Sequence, residues 1–272
     1  RMQHQLQALC LLLMPASWKI LMTKALIFDM DGTLTQSRKP VPTKVLKALK
    51  KMRGKYRLYL VTGSNFSKVE EQFGWHNVIE IFDKVMCCNG TTVFQTNLDP
   101  DDEHGSLEPD LIHKVSLIDH YSQSDLNHII SVLLKYAAKN HTKYKTGTFV
   151  EWRDSQINFS LIGRNCSQAQ REDYAKWDKK SGDRDKAIKF LEKEFKSYGL
   201  AFRKGGQISI DISRNEWSKA YAFENIDQKP EECVFFGDNI VPVGNDWEIA
   251  KMCGKFHAVD GPEEFLEVLA EY

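Results

Sequence analysis

The hydrophobic pattern of the chain runs in two rhythms. The first begins at Lys24–Phe28 (KALIF), an apolar run closed by the polar stretch DMDGTLT, which reads as a buried strand entering a loop. Pro42–Lys55 then carries Val45, Leu46, Leu49 and Met52 at helical spacing. Arg57–Val61 (RLYLV) is a second strand, ended by Thr62-Gly63-Ser64. Phe66–Phe73 returns to helical spacing, and Val85–Cys88 is a third short apolar run before Asn89-Gly90. Strand, helix, strand, helix, strand predicts a parallel sheet covered on both faces, with ligands at the carboxyl ends of the strands. Asp29, Asp31 and Ser64 all fall at such ends.

The second rhythm starts after Asp99–Gly105 (DPDDEHG), an acidic, turn-rich stretch that reads as a linker. Leu126–Ala138 has helical spacing, Thr148–Trp152 and Gln156–Ile162 alternate as paired strands, and Gln168–Trp177 and Asp185–Phe195 are helical again. Leu200–Arg203 and Gln207–Ile212 alternate around Gly205-Gly206, a hairpin turn signal. This part predicts an α+β unit, an antiparallel sheet with helices on one side, inserted into an α/β core. The first rhythm resumes at Val234–Phe236 and Gly237-Asp238. The expected division is an extension at 1–22, a core at 23–98 and 219–272, and an inserted unit at 99–218.

Composition changes this picture little. The 272 residues hold 37 Lys and Arg against 37 Asp and Glu, so no global field favours nucleic acid or an anionic membrane. Anion binding must come from locally placed cations. Cys10, Cys87, Cys88, Cys166, Cys233 and Cys253 form no CxxC pair and no zinc-spaced Cys/His cluster. Buried free thiols in a reducing, cytoplasmic setting are the expectation. Ala8–Met14 (ALCLLLM) is too short for a bilayer span, and as a signal peptide it has only Arg1 and His4 before it. The alternative is that the functional domain begins at Met22.

The chemistry concentrates in Asp29-Met30-Asp31-Gly32-Thr33. Two carboxylates one residue apart, just past a buried strand, can share one pocket with separate tasks. Asp29 would attack phosphorus and carry an aspartyl-phosphate, and Asp31 would protonate the leaving oxygen. An acidic turn of the calcium-loop kind is the other reading of these five residues. Ser64 reads either as a hydroxyl for a phosphoryl oxygen or as the N-cap of the Phe66 helix. Lys219 reads as a charge-balancing ammonium or as a solvated surface lysine. Asp238 and Asp246, in the loop after the Val234 strand, would join Asp29 and the Asp31 backbone carbonyl around Mg²⁺, or simply form a loop-to-helix junction.

Taken in this order, the four elements resemble the haloacid dehalogenase superfamily from about Thr23 to the end of the chain. The inserted unit narrows the resemblance. Gly147–Arg153 (GTFVEWR), Ser160–Gln168 (SLIGRNCSQ), Arg171, Gly205–Asp211 (GGQISID) and Trp217-Ser218-Lys219 follow the pattern GTFxEFR, SPIGRxCSQ, ER, GGQISFDVF and GWDK. That pattern is similar to the cap and hinge of eukaryotic-type phosphomannomutases.

The resemblance implies a double displacement. Asp29 is phosphorylated by a sugar bisphosphate and passes the group to a hexose monophosphate, with Mg²⁺ as cofactor and a hexose 1,6-bisphosphate as activator. It also implies that Arg153, Arg164 and Arg171 clamp the distal phosphate, that Ser209 and Asp211 contact the substrate, and that Arg38 follows the nucleophile loop. A sugar phosphate is the expected small-molecule partner, and a second copy of the chain, met through the cap, the expected protein partner.

The match departs from the family pattern in the core. GGSD is replaced by Thr62-Gly63-Ser64-Asn65, and ENGL by Cys88-Asn89-Gly90-Thr91. GDKTxxGGND becomes Gly237–Asp246 (GDNIVPVGND), FTDPRT shortens to Ala250–Cys253, and Ser213-Arg214 stand for the Phe-Pro of the hinge. A sugar-phosphate phosphatase on the same scaffold therefore stays open beside the mutase, as does a non-catalytic sugar-phosphate-binding protein.

Overall fold

The computed structural model describes residues 23–36, 38–96, 109–242 and 244–272. The 1–22 extension and the 99–105 linker expected from sequence lie outside the described residues. The chain divides into two compact units: one runs to Lys114 and resumes at Trp217–Tyr272, and the other is Val115–Glu216.

In the first unit, β1 (Ala25–Phe28), β2 (Arg57–Val61), β3 (Lys84–Cys87), β10 (Cys233–Gly237) and β11 (Lys255–Ala258) form the parallel part of a seven-stranded sheet. Its order is β11-β10-β1-β2-β3-β4-β5, and β4 (Thr92–Gln95) and β5 (Asp110–Lys114) are antiparallel. The sheet is thus mixed rather than wholly parallel. The inserted unit also begins later than residue 99, because the backbone of β5 pairs with β4 and so belongs to the core sheet.

Alternate residues of the central strands face opposite sides, and both sides are buried. Leu26, Phe28, Leu58, Leu60, Val234 and Phe236 pack with Val45 and Leu49 of α1 (Thr43–Met52), Val69 and Phe73 of α2 (Phe66–Phe73), and Val78 and Ile81 of α3 (Trp75–Ile81). Phe265 and Leu269 of α8 (Pro262–Leu269) complete that side. Ala25, Ile27, Tyr59, Val61 and Phe235 pack on the other side with Ala222, Ile226, Ile240 and, from α7 (Trp247–Ala250), Ile249. Each large apolar side chain buried in this way contributes about 1.5–3 kcal/mol.

The second unit holds a four-stranded antiparallel sheet in the order β6 (Val150–Arg153), β7 (Gln156–Ser160), β9 (Ser209–Arg214), β8 (Leu200–Gly205). Ile157, Phe159, Ile210, Ile212 and Phe202 supply its buried apolar positions. Tyr136 of α4 (Gln123–Lys139) packs edge-on against Phe159, and Phe195, after α6 (Asp183–Glu194), stacks on Phe202.

Capping boxes start both α4 (Ser122 with Asp125) and α5 (Gln168–Ser181; Ser167 with Gln170). Gly182 in the left-handed region ends α5. Arg184, just past that turn, pairs with Asp178 and donates to the carbonyls of Gly206 and Ser209, tying the helical corner to the β8–β9 turn.

Phe265 is fully buried, with ring centroids 5.7 Å from Phe28 and 5.5 Å from Phe236. Phe265→Ala should cost about 3–5 kcal/mol, read from the shift of the denaturant midpoint. A loss below about 1 kcal/mol would mean that this aromatic cluster does not organise the core.

Candidate active site

The strand β1 ends one residue before Asp29, whose N–H donates to the Phe236 carbonyl at 2.9 Å. That bond fixes the backbone of Asp29 against β10, and only 4% of the residue is exposed. Lys219 opens a 3₁₀ turn (Lys219–Glu224) and is itself 1% exposed, so the solvated reading of this lysine is set aside. Its Nζ donates to Asp29 Oδ1 and to Asp246 Oδ1, the latter at 2.5 Å. Asp246 does not cap α7 with its side chain; its second oxygen accepts from the Asn239 N–H at 3.1 Å.

Asp29, Asp238 and Asp246 each bring a carboxylate oxygen within 4.8 Å of the others. Gly32 makes the approach of Asp238 sterically open: its φ is +92°, and a Cβ there would stand 2.5 Å from Asp238 Oδ2. Three carboxylates face one ammonium, an excess of two negative charges in a largely buried place. Burial pushes the Asp29 carboxyl up to about 8, against the pull of Lys219 and with the push of Asp246 and Asp238. Burial also raises Asp238, with Asp246 adding to it. For Lys219, burial works downward, but Asp246 and Asp29 more than reverse it and the net shift is upward. An all-oxygen group with surplus negative charge suits a hard divalent cation, which would restore balance and keep Asp29 ionised.

Asp31 stands outside that trio. Its Oδ1 accepts from the Arg38 N–H at 3.0 Å and from Gln72 Nε2 at 3.2 Å, so the carboxylate is held from two elements. Arg38 is exposed and adopts φ +65°. Ser64 does not cap α2: Asn65 is the N-cap and accepts from the Lys68 N–H. The Ser64 carbonyl instead accepts from the Cys88 N–H at 3.0 Å, and the Thr62 carbonyl from the Asn89 N–H at 2.9 Å. Cys88, Asn89 and Gly90 are all at positive φ. A Cβ on Gly90 would lie 2.6 Å from the Ala222 backbone nitrogen, so this turn packs directly on the one that begins with Lys219. The composition of Cys88-Asn89-Gly90 signals a turn, but not that it braces both Ser64 and Lys219.

In the second unit the structure brings Arg153, Arg164 and Asp211 into one cluster. Arg153 and Arg164 both donate to Glu151 Oε2, at 2.8 and 2.7 Å. Arg164 also donates to Asn158 Oδ1 at 2.7 Å, and Asn158 Nδ2 donates to Asp211 Oδ1 at 2.5 Å. Burial raises the Asp211 carboxyl, opposed by Asn158 and the two arginines. Arg171 is buried at the start of α5, and Ser209 is buried at the start of β9, where its carbonyl accepts from Arg184. Glu151 and Asn158 received no role from sequence, although strand alternation alone puts Glu151 on the same face as Arg153.

The five described cysteines form no disulfide among the described residues, and three of them are buried. Among the described residues no helix is long and apolar enough to cross a membrane.

Comparison with known proteins shows what the chain is similar to. The sequence profile of the family described as "Eukaryotic phosphomannomutase" matches residues 45–272. Human phosphomannomutase 1 is 35% identical over 89% of this chain and 88% of its own length. The phosphomannomutase of Galdieria sulphuraria is 37% identical over 89% and 91%, and that of Saccharomyces cerevisiae 34% over 90% and 92%.

Among solved structures, a Plasmodium falciparum IMP-nucleotidase mutant covers 91% of this chain and 66% of its own, with a TM-score of 0.63 at 13% identity. A haloacid dehalogenase-like hydrolase from Bacteroides thetaiotaomicron covers 92% and 99%, with a TM-score of 0.59 at 13% identity. At such identities these two speak for the fold alone. The sequence comparisons, by their extent, place the chain itself in the eukaryotic phosphomannomutase family.

Proposed function

We propose that this enzyme is a magnesium-dependent phosphomannomutase that interconverts mannose 6-phosphate and mannose 1-phosphate through an aspartyl-phosphate on Asp29. The observation that carries the reading is the buried contact of Lys219 with Asp29 and Asp246, with Asp238 beside them at the carboxyl ends of β1 and β10. A carboxylate oxygen of Asp29 attacks phosphorus, and the bond from phosphorus to the sugar oxygen breaks. Asp31 gives its proton to that leaving oxygen, and in the return half-reaction takes the proton of the attacking hydroxyl. Lys219 offsets the negative charge that accumulates at Asp29. Ser64 offers its hydroxyl to a phosphoryl oxygen.

Mg²⁺, held by Asp29, Asp238 and the Asp31 backbone carbonyl with support from Asp246, would neutralise phosphoryl charge. Arg153, Arg164 and Arg171 hold the phosphate that is not being transferred, with planar guanidinium donors suited to that shape. Ser209 and Asp211 contact the sugar, and Arg38, beside the Asp31 loop, is a further cation for the substrate. Homodimerisation through the cap belongs to the same reading.

The deciding experiment incubates the protein with mannose 1-phosphate and Mg²⁺, with and without a hexose 1,6-bisphosphate. Activator-dependent mannose 6-phosphate is the expected product, and EDTA should stop its formation. Free phosphate as the main product would make the chain a phosphatase on the same scaffold, and turnover in EDTA would remove the metal.

Asp29→Asn should abolish turnover in a folded protein, because the amide is nearly isosteric and cannot form the acyl-phosphate. Activity within about tenfold of wild type would sink the nucleophile assignment.

Arg164→Ala and Arg171→Ala should each impair a hexose phosphate far more than p-nitrophenyl phosphate, which has no second phosphate to hold. Losing one charge-assisted contact costs roughly 1.5–3 kcal/mol, or about tenfold to a hundredfold in kcat/KM. Parallel losses on both substrates would instead make these arginines structural.

A further inference from the structure

Glu151 precedes Arg153 by two residues on β6, so strand alternation puts both side chains on one face. Pairing extends that face across the sheet, with Glu151 opposite Asn158, Asn158 opposite Asp211, and Asp211 opposite Arg203. Arg164 reaches the same row from the turn after β7. A single oxygen, Glu151 Oε2, receives both guanidiniums, at 2.8 Å from Arg153 and 2.7 Å from Arg164. Arg164 gives a further N–H to Asn158, whose own amide donates to Asp211. The hydrogen bonds therefore run unbroken from Arg153 through Glu151, Arg164 and Asn158 to Asp211. The buried Nε of Arg153 has no acceptor among the described residues.

Two guanidiniums this close repel one another unless an anion stands between them. A phosphorylated sugar can supply that anion only after it has bound. Without Glu151, each arginine would have to be ordered at the moment of binding, against both repulsion and the entropy of a long side chain.

We propose that Glu151 is a positioning residue for the phosphate clamp: it sets the spacing and orientation of Arg153 and Arg164 in advance and leaves the Arg153 Nε–H for an oxygen of the ligand. The inference rests on the reading of the arginines as phosphate ligands. Glu151 acts both as the hydrogen-bond acceptor common to two donors and as the negative charge between them, so an uncharged oxygen in its place keeps the first role and loses the second. An ordinary surface ion pair would do none of this; it would add a little stability and nothing to substrate affinity.

The test compares Glu151→Ala, Glu151→Gln and Arg164→Ala in the full chain, with mannose 1-phosphate under activator and Mg²⁺, and with p-nitrophenyl phosphate. Glu151→Ala should raise KM for the sugar phosphate about tenfold or more, with a much smaller change in kcat and in the minimal substrate. Glu151→Gln, whose amide oxygen accepts from both arginines but carries no charge, should give a KM between those of wild type and Glu151→Ala. An unchanged KM in Glu151→Ala, equal losses on both substrates, or a Gln variant as weak as Ala would each overturn the proposal. Arg164→Ala separates the two levels. If it leaves KM untouched, the clamp reading itself falls; if it raises KM while Glu151→Ala does not, only the role of Glu151 falls.

Discussion

The first unit is organised around one buried ammonium. Lys219 lies 190 residues from Asp29 in sequence, yet its Nζ is shared between Asp29 and Asp246 with almost no access to water. Removing a charge from water costs several kcal/mol, which is recovered only when opposite charges and hydrogen bonds surround it in good geometry. The Lys219 turn, the end of β1 and the loop after β10 must therefore arrive together. The sheet delivers β1 and β10 side by side, and Gly90 lets the Cys88-Asn89-Gly90 turn press against Ala222 in the turn that Lys219 opens. Together these contacts set where the Asp29 carboxylate points.

The second unit solves a different electrostatic problem. Its sheet has an apolar set built from Ile157, Phe159, Ile210, Ile212 and Phe202, and a polar row that runs from Glu151 to Arg203. Polar side chains in such a row must find partners or be hydrated, and here they largely satisfy one another. From Arg153 to Asp211 this makes a hydrogen-bonded cluster of two guanidiniums, two carboxylates and one amide, while Arg203 donates to Ser213 and to the Asn215 carbonyl. Arg184 supports the neighbouring β8–β9 turn from behind, through the Gly206 and Ser209 carbonyls. Paired strands and a pinned turn hold these donors and acceptors in fixed positions.

Two of the departures from the family pattern fall on turns beside the charged cluster rather than in it. Asn239, where the pattern has lysine, gives its N–H to Asp246 and its side-chain amide to Asn245, and so braces the loop that carries the carboxylates. Cys88, where the pattern has glutamate, is buried, and its N–H holds the Ser64 carbonyl. Both substitutions remove a charge and leave a backbone contact that holds the site's loops. The Asp29, Lys219 and Asp246 contacts coexist with them.

Local pattern was enough to determine the rhythm of the chain. β1, β2 and β10 are buried on both faces and so read as apolar runs, while α1, α2 and α4 show helical spacing because each buries one stripe. The DMDGT stretch, the position of Asp238 and the arginine motifs were legible for a similar reason, since their meaning lies in order and short spacing. Other features were decided only by tertiary structure. β5 and β11 carry exposed residues and no clear alternation, and they become strands because β4 and β10 offer them backbone partners. Lys219 reads either as a charge-balancing ammonium or as a surface lysine until Asp29 and Asp246 close on it. Asn65 takes the cap that Ser64 could have filled, and Glu151 becomes a junction only when Arg164 returns to it from another turn. Periodicity and backbone preference act between near neighbours, so a sequence displays them directly. Burial and charge pairing join residues far apart in the chain, and they exist only once the strands are in register.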